Sequence, residues 1–343
     1  MKNGLLILVL FTQFNFFSQV TNFSTKFNLP SDVEETSGLI FINNKIVTHN
    51  DSGDEAKLYE IDNVSGLITR TITITNATNV DWEDITEDET HIYIGDIGNN
   101  NGTRTDLTIY KILKSDYLNS NNITAEIITF SYEDQSDFSS KPNNNNFDSE
   151  AISIYDNSIV LFTKNWENLI TNTYIIPTTS GNHSAIKTST YNVNGLVTGS
   201  SYNKENDSFM LVGYNNSDGT PFLVYIDRNR NSGNDIFNGG AEKTILTQLG
   251  VLNQVEGIIH LDNLNYYISR EKVAFNGITN TQALFEFTYS NNTIWEGDDI
   301  NSPTDWATAE NWNEGIPTLS SNVTIPEVPP YSSTTMAMWI LDS

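Results

Sequence analysis

Apolar and polar residues alternate along this chain in short runs, and the runs end in clusters of Asn, Asp, Gly and Ser. Alternation of this kind predicts half-buried β-strands, and the terminating residues supply turn chemistry. Helical periodicity is nearly absent. The first set of runs is Gly38–Asn43, Lys45–His49, Leu58–Asp62 and Leu67–Ile74, broken at Asn43-Asn44, Asn50–Asp54 and Asn63–Gly66. Four such strands joined in order make an antiparallel meander the size of one propeller blade.

The same order returns along the chain. A second unit opens at Ile85 and continues with His91–Gly95, Leu107–Ile112 and Ala125–Tyr132. A third reads Ala151–Tyr155, Ser158–Thr163, Thr173–Ile176 and Lys187–Val193. A fourth opens at Gly195–Gly199 and continues with Ser208–Gly213, Phe222–Asp227 and Thr244–Leu249. A fifth has only Gly257–Leu261, Tyr266–Ser269 and Leu284–Tyr289. Its missing strand can come from Thr21–Phe27, and closing the ring in this way removes an exposed sheet edge. The pattern predicts an all-β chain forming a five-bladed β-propeller closed by an N-terminal strand. Six blades is the alternative, because Ser115–Asn146 could hide further strands, although Asp134–Asn146 is polar and reads as a loop.

Acidic residues stand at the head of four units: Glu34-Glu35, Asp81-Trp82-Glu83-Asp84, Asp148-Ser149-Glu150 and Glu256. In an antiparallel meander, the start of the first strand and the end of the second share one end of the sheet. Glu35, Asp81, Glu83, Asp148, Glu150 and Glu256 should therefore face the loops Asn50–Asp54, Asp96–Asn100, Lys164-Asn165, Asn215–Asp218 and Arg270-Glu271. The first strand is innermost in a blade, so a ring of acids and amides is expected at one mouth of the channel. Crowded carboxylates either take up protons or recruit a cation, and oxygen-only donors favour Ca²⁺ over Zn²⁺. Lys164, Arg270 and Arg104 could neutralise an anionic small molecule there, with Lys164 and Arg270 expected at equivalent positions. A second calcium-like loop, Asp227–Asp235, lacks a glutamate at its twelfth position, where Asn238 stands, and reads better as a surface loop.

Charge narrows the partners. The 343 residues carry 17 basic and 43 acidic side chains, a formal net charge of −26. Nucleic acid and anionic membranes would be repelled, whereas divalent cations and cationic or neutral partners are favoured. With no cysteine, disulfides, thiolate catalysis and cysteine-ligated zinc are excluded. Lys2 followed by the interrupted apolar run Leu5–Phe17, with Ser18-Gln19 as a cleavage zone, predicts a secretory signal over residues 1–19. No later stretch is long enough to span a bilayer. The expected protein is secreted, extracellular or at the cell surface, and monomeric. No nucleophile-elbow, phosphate-loop, zinc-helix or dinucleotide motif is present.

From about Thr293 the pattern changes, giving a propeller over residues 20–291 and a second segment over 292–343. Trp295-Glu296-Gly297, Trp306 through Asn311-Trp312, Gly315-Ile316-Pro317 and Val323-Thr324-Ile325-Pro326 resemble a Trp-rich module of large exported bacterial adhesin-like proteins, often found alongside type IX secretion. It stops early here, so a partial β module is expected. Within the propeller, Glu35-Thr36-Ser37-Gly38-Leu39, His49-Asn50-Asp51-Ser52-Gly53, Asp81-Trp82-Glu83-Asp84-Ile85 and Ile94 to Asn100 resemble the signature of a family of secreted bacterial propellers. That family is distantly similar to the calcium-dependent gluconolactonase-like, paraoxonase-like and phytase-like propellers. The resemblance implies Glu35, Asp81, Glu83, Asp96, Asn99, Glu150 and Glu256 as calcium ligands, with His49 as a general base. Two functions remain open: an extracellular binding or surface-associated module pinned by Ca²⁺, or a Ca²⁺-dependent hydrolase of phosphoesters, esters or lactones.

Overall fold

The computed structural model describes residues 19–228, 235–237, 240–275, 277–294, 306–308 and 321–324. Nearly all of the expected leader, the middle of the Asp227–Asp235 loop (229–234) and most of the Trp-rich segment lie outside the described residues.

The described strands form a β-propeller. Strand β1 (Val20–Asn28) leads into the first blade, β2 (Thr36–Ile42), β3 (Lys45–Asn50), β4 (Lys57–Asp62) and β5 (Ile68–Ile74). The second blade is β6 (Trp82–Glu87), β7 (His91–Asp96), β8 (Thr108–Leu113) and, after helix α1 (Lys114–Asn119) and the short β9 (Asn122–Ile123), β10 (Glu126–Tyr132). The third is β11 (Ser149–Tyr155), β12 (Ser158–Thr163), β13 (Thr171–Pro177) and β14 (Gly181–Tyr191). The fourth is β15 (Leu196–Asn203), β16 (Ser208–Tyr214), β17 (Pro221–Asp227) and β18 (Ala241–Ile245). The fifth runs β19 (Val255–His260), β20 (Asn265–Arg270), a hairpin of β21 (Val273–Phe275) and β22 (Ile278–Asn280), then β23 (Ala283–Tyr289). Strand β1 pairs antiparallel with β23 and supplies that blade's outermost strand. Past it, β24 (Asn291–Ile294) and β25 (Ser321–Thr324) make a parallel pair.

Alternation along the strands explains the packing. Ile40 and Val47 point into an apolar cluster with Trp82, Ile85 and Ile94, while Leu39 and Ile46 point the other way, into a cluster with Tyr267 and Leu284. Three further clusters lie between the second and third, third and fourth, and fourth and fifth blades. Each cluster is thus shared by two blades, and no described blade can bury both its faces alone.

The innermost strands meet around the axis through small residues. A Cβ on Gly38 would overlap the backbone of Ile85 and the Asp84 carboxylate, and one on Gly257 would overlap the Ser37 carbonyl. Asp84 sits at this pinch, fully buried. Its Oδ1 accepts from Ile85 N and its Oδ2 from Ile152 N, both at 2.8 Å. An innermost strand has no partner on its axial side, so its amides need such acceptors.

Two features were not visible as runs. Helix α1 places Tyr117 so that its hydroxyl donates to Glu60 Oε2 at 2.9 Å, while Arg70 bonds both that carboxylate and the Tyr117 carbonyl. Strand β9 then adds a parallel edge to the first blade.

Candidate functional site

Every innermost strand carries a register shift near its start, where it pairs with the second strand of its blade. The shifts fall between Thr36 and Leu39, Trp82 and Asp84, Ser149 and Ala151, Val197 and Gly199, and Val255 and Ile258. A bulge inserts an extra residue and re-aims its side chain. Across the blades, in order, the bulge falls at Ser37, Glu83, Glu150, Thr198 and Glu256. A backbone bond fixes the facing position: Asp51 N, Ile97 N, Lys164 N and Glu271 N donate to the carbonyls of Glu35, Asp81, Asp148 and Gln254, respectively, at 2.6–3.1 Å, and Tyr214 pairs with Leu196. Asp51, Ile97, Lys164, Tyr214 and Glu271 are therefore equivalent.

These positions build an acidic mouth. Asp51, Asp81 and Glu83, from the first and second blades, each offer a carboxylate oxygen within 4.8 Å of the others. Gly98 forms the floor beneath two of them, since a Cβ there would overlap Glu83 Oε1 and Asp81 Oδ2. Glu83 is only 3% exposed. Burial and the neighbouring Glu150 and Asp81 push the Asp51 carboxyl up to about 8. Burial and Glu150 also push Asp81 up to about 6. Burial, with Asp51 and Glu150 beside it, holds Glu83 well above the usual carboxylate range. On the far side, burial raises Glu271 to about 7 and pushes Glu256 strongly upward.

One cation stands inside. Lys164 Nζ is 3.0 Å from Glu150 Oε2, with both side chains buried. It lies over the rings of Trp166 and Tyr214, 5.0 and 5.4 Å from their centroids. Glu150, Tyr214, Glu256 and Glu83 all favour its charged form, which is held well above the usual lysine range. Trp166 is oriented in turn by its Nε1 donating to Asp148 Oδ2 at 2.7 Å.

Of the expected ligands, Asp81 and Glu83 come together with Asp51, while Glu150 and Glu256 lie near enough to act on them electrostatically. Glu35 is exposed at the rim, where its charge acts on Glu271; it matches Asp81 and Asp148, not Glu83, because Ser37 takes the bulge. Asp96 is turned into the wall, accepting from Asp81 N at 3.1 Å and pairing with Arg104 Nη2 at 2.9 Å. Asn99 is consumed by its own loop: its Oδ1 accepts from Arg104 N and its Nδ2 donates to the Phe147 carbonyl. His49 is fully buried against Trp82, with its Nδ1 3.0 Å from the Asn50 carbonyl, and burial lowers it to about 4. Burial favours its neutral form, and among the described residues its ring bonds the Asn50 carbonyl, packs on Trp82 and touches no mouth acid.

Arg270 does not match Lys164. It ends strand β20 opposite Val255, and its guanidinium donates to the Thr281 carbonyl and to Asn253 Oδ1 at 2.6 Å. The equivalent of Lys164 is Glu271, one residue on. In an extended chain one residue changes the face. Asp51 and Glu271 were named only as members of their loops, yet they are central to the mouth, as is Tyr214. The turn after the second strand was the signal that could have found them.

No family model matches this chain, and no curated protein matches it. Solved structures with a similar course include hydrazine synthase from Kuenenia stuttgartiensis (9% identity, TM-score 0.38, 73% of this chain and 59% of that one). Others are a chain of a nidogen–laminin complex (11%, 0.38, 68% and 72%) and an exo-β-1,3-galactanase from Phanerochaete chrysosporium with galactose (9%, 0.46, 74% and 59%). The chain thus spans about three-fifths of the first and third of these. At such scores none of their ligands or activities carries over.

Proposed function

We propose that this chain is a secreted, acidic β-propeller that holds a calcium ion at its channel mouth and acts as an extracellular binding module. The observation that carries the reading is the approach of Asp51, Asp81 and Glu83 to within 4.8 Å of one another. Oxygens gathered this closely can share one ion at calcium's bond length of about 2.4 Å. The donors are all hard oxygens, and Gly98 leaves the room they need. Asp51, Asp81 and Glu83 would hold the ion, with Glu150 and Glu256 adding field from the neighbouring blades.

Charge then selects the partner. Among the described residues, Lys164 is the cation in contact with this group of Asp51, Asp81, Glu83, Glu150, Glu256 and Glu271, and Arg104 acts on Asp81 from the wall, so acids outnumber basic groups at the mouth. A neutral or cationic partner fits better than an anionic one. Calorimetric titration of chelated protein tests the site. We expect one calcium per chain, a higher melting temperature on loading, and at least about a tenfold loss of affinity in Glu83→Gln. No heat and no melting shift would remove the ion from this reading.

A hydrolase is the second reading, favoured by Glu271. This half-buried carboxyl, raised to about 7, stands outside the three-acid group and is tuned for general-base work near neutral pH. A bound ion would supply Lewis acidity to a phosphoryl or carbonyl oxygen. Aryl phosphate, aryl ester and lactone turnover, with and without chelator, separates the readings. Flat rates on all three discard the hydrolase.

A further inference from the structure

Outside the acid ring, the same face of the molecule carries a small cleft. It forms where the long connection from β10 to β11 (residues 133–148) folds over the turn that follows β7. Hydrogen bonds fix that connection. Lys141 N and Asn143 N donate to the carbonyls of Asn101 and Asn100 at 2.8 and 2.9 Å. The buried Asn145 gives its Nδ2 to the carbonyls of Asn99 and Asn100, and its Oδ1 accepts from Phe147 N. Gln135 Nε2 reaches the Gly102 carbonyl at 3.0 Å. A connection held at so many points is preformed, so little ordering cost remains for a ligand to meet. Between it and Glu167 of the third blade lies an opening of about 60 Å³, room for about four waters.

We propose that this cleft binds a neutral sugar, taking the hydroxylated edge of one ring. The lining cation, Lys141, is already paired with Asp137, its Nζ 2.8 Å from Oδ2. An anion would meet that neutralised pair and the Glu167 carboxylate. Among the described residues, Asp137 and Glu167 join no third acid in a group that could hold a metal ion. Asn146 Nδ2 donates to Glu167 Oε2 at 2.9 Å, whereas Asn146 Oδ1 has no hydrogen-bond partner among the described residues. Amide and carboxylate acceptors suit hydroxyl donors, and each sugar hydroxyl can take the place of one water. A wholly apolar ligand would leave those acceptors unpaired. Phe147, held against Tyr132 with ring centroids 5.5 Å apart, offers apolar surface to the C–H face of the ring. The site goes beyond the calcium reading, since it lies apart from the three-acid group and needs no ion.

The test is saturation-transfer NMR on the full chain, with and without chelator. Glucose, mannose, xylose, fucose and N-acetylglucosamine are the probes, and calorimetry follows with any sugar that binds. We expect saturable binding of at least one of them, equal in calcium and in chelator. Glu167→Ala and Asn146→Ala should each weaken it at least about tenfold. Glu167 is exposed, so its loss should leave the melting temperature unchanged; Glu167→Gln keeps the side chain's shape and serves if the alanine variant does not fold. Failure of every sugar in the panel overturns the inference, as does binding of undiminished strength in both variants. Binding that requires calcium places the sugar at the mouth and overturns it too. Tetramethylammonium is the contrasting probe: if it binds, is lost in Glu167→Ala, and no sugar binds, the cleft takes a cation and the inference falls. The calcium reading survives each of these failures, because titration of the mouth decides it separately.

Discussion

At the scale of single residues, the mouth ties stability to pH in a direction set by raised carboxyls. An acid whose folded-state value lies above its unfolded value binds its proton more tightly when folded. Its contribution is therefore present at low pH and is lost as pH rises toward the folded value. Asp51, Glu271 and Asp81, at about 8, 7 and 6, place that loss between about pH 4 and pH 8. His49 and His260, both lowered to about 4 by burial, act oppositely, losing stability as pH falls from about 6.5 to 4. Between pH 6.5 and about 7.5 the acids dominate; closer to pH 8, Lys243, which burial lowers to about 8, begins to oppose them. Calcium-free protein should therefore melt at progressively lower temperature across that window, and saturating calcium should reverse the trend. Thermal melts at fixed ionic strength check this; a flat chelated profile would mean that the acids do not share one mouth. His49 gives a contrasting prediction. The Asn50 carbonyl that it bonds also accepts from Asn79 Nδ2 at 3.1 Å, so losing the imidazole leaves no orphan there. We expect His49→Leu to change unfolding free energy by less than about 1.5 kcal/mol and calcium affinity by less than about twofold, read by urea melts and titration.

At the scale of elements, the innermost strands decide both the channel and the site. Asp84 accepts from amides on the innermost strands of the second and third blades. Its carboxylate thus clamps two elements, and burial holds it well above the usual carboxylate range. Asp84→Ala leaves those buried amides without an acceptor, at about 1–3 kcal/mol for each left unsatisfied. Denaturant unfolding should show a loss of about 3 kcal/mol or more, larger than any single mouth substitution causes. The strands themselves were legible in sequence: alternation placed Lys45–His49 and Ser158–Thr163 within a residue of β3 and β12. It also assigned the closing strand to the N-terminal segment, because the fifth set of runs was one short. What alternation cannot show is a bulge, which adds a residue without changing the apolar pattern. Ser37 and Thr198 fill the bulge in two blades, so counting glutamates aligned Glu35 with Glu83 and missed by two. The same blindness matched Arg270 with Lys164 and hid Glu271. The acids in the mouth were readable because charge stands out against apolar strands; their partners in the facing turns were not, since a turn has no period to set its register.

At the scale of the whole molecule, the ring depends on two distant segments meeting. Strand β1 runs along β23 from Val20 opposite Tyr289 to Asn28 opposite Ala283. Phe23 stacks on Phe285 and Phe287 at 5.6 and 6.1 Å, and Lys26 pairs with Glu286 at 3.1 Å. Beyond the strand, Leu29 N donates to the Gln282 carbonyl and Gln282 Nε2 reaches back to the Leu29 carbonyl. Such a pairing closes the largest loop in the domain, so its entropy cost falls on one interface. Without β1, the backbone edge of β23 is open, and Phe285 and Phe287 lose their cover; an open apolar edge recruits other chains. A chain beginning at Leu29 should therefore elute as dimers or larger species and melt at lower temperature. A peptide of residues 19–28 added in excess should pair with β23 and return it toward the size of the natural protein. The register shifts in the β1–β23 pairing make this complementation selective, since a shuffled peptide cannot place Phe23 between the two phenylalanines. Light scattering after size exclusion reads all three states. A truncated chain that keeps the natural protein's size and melt would show that the ring closes through its apolar clusters alone.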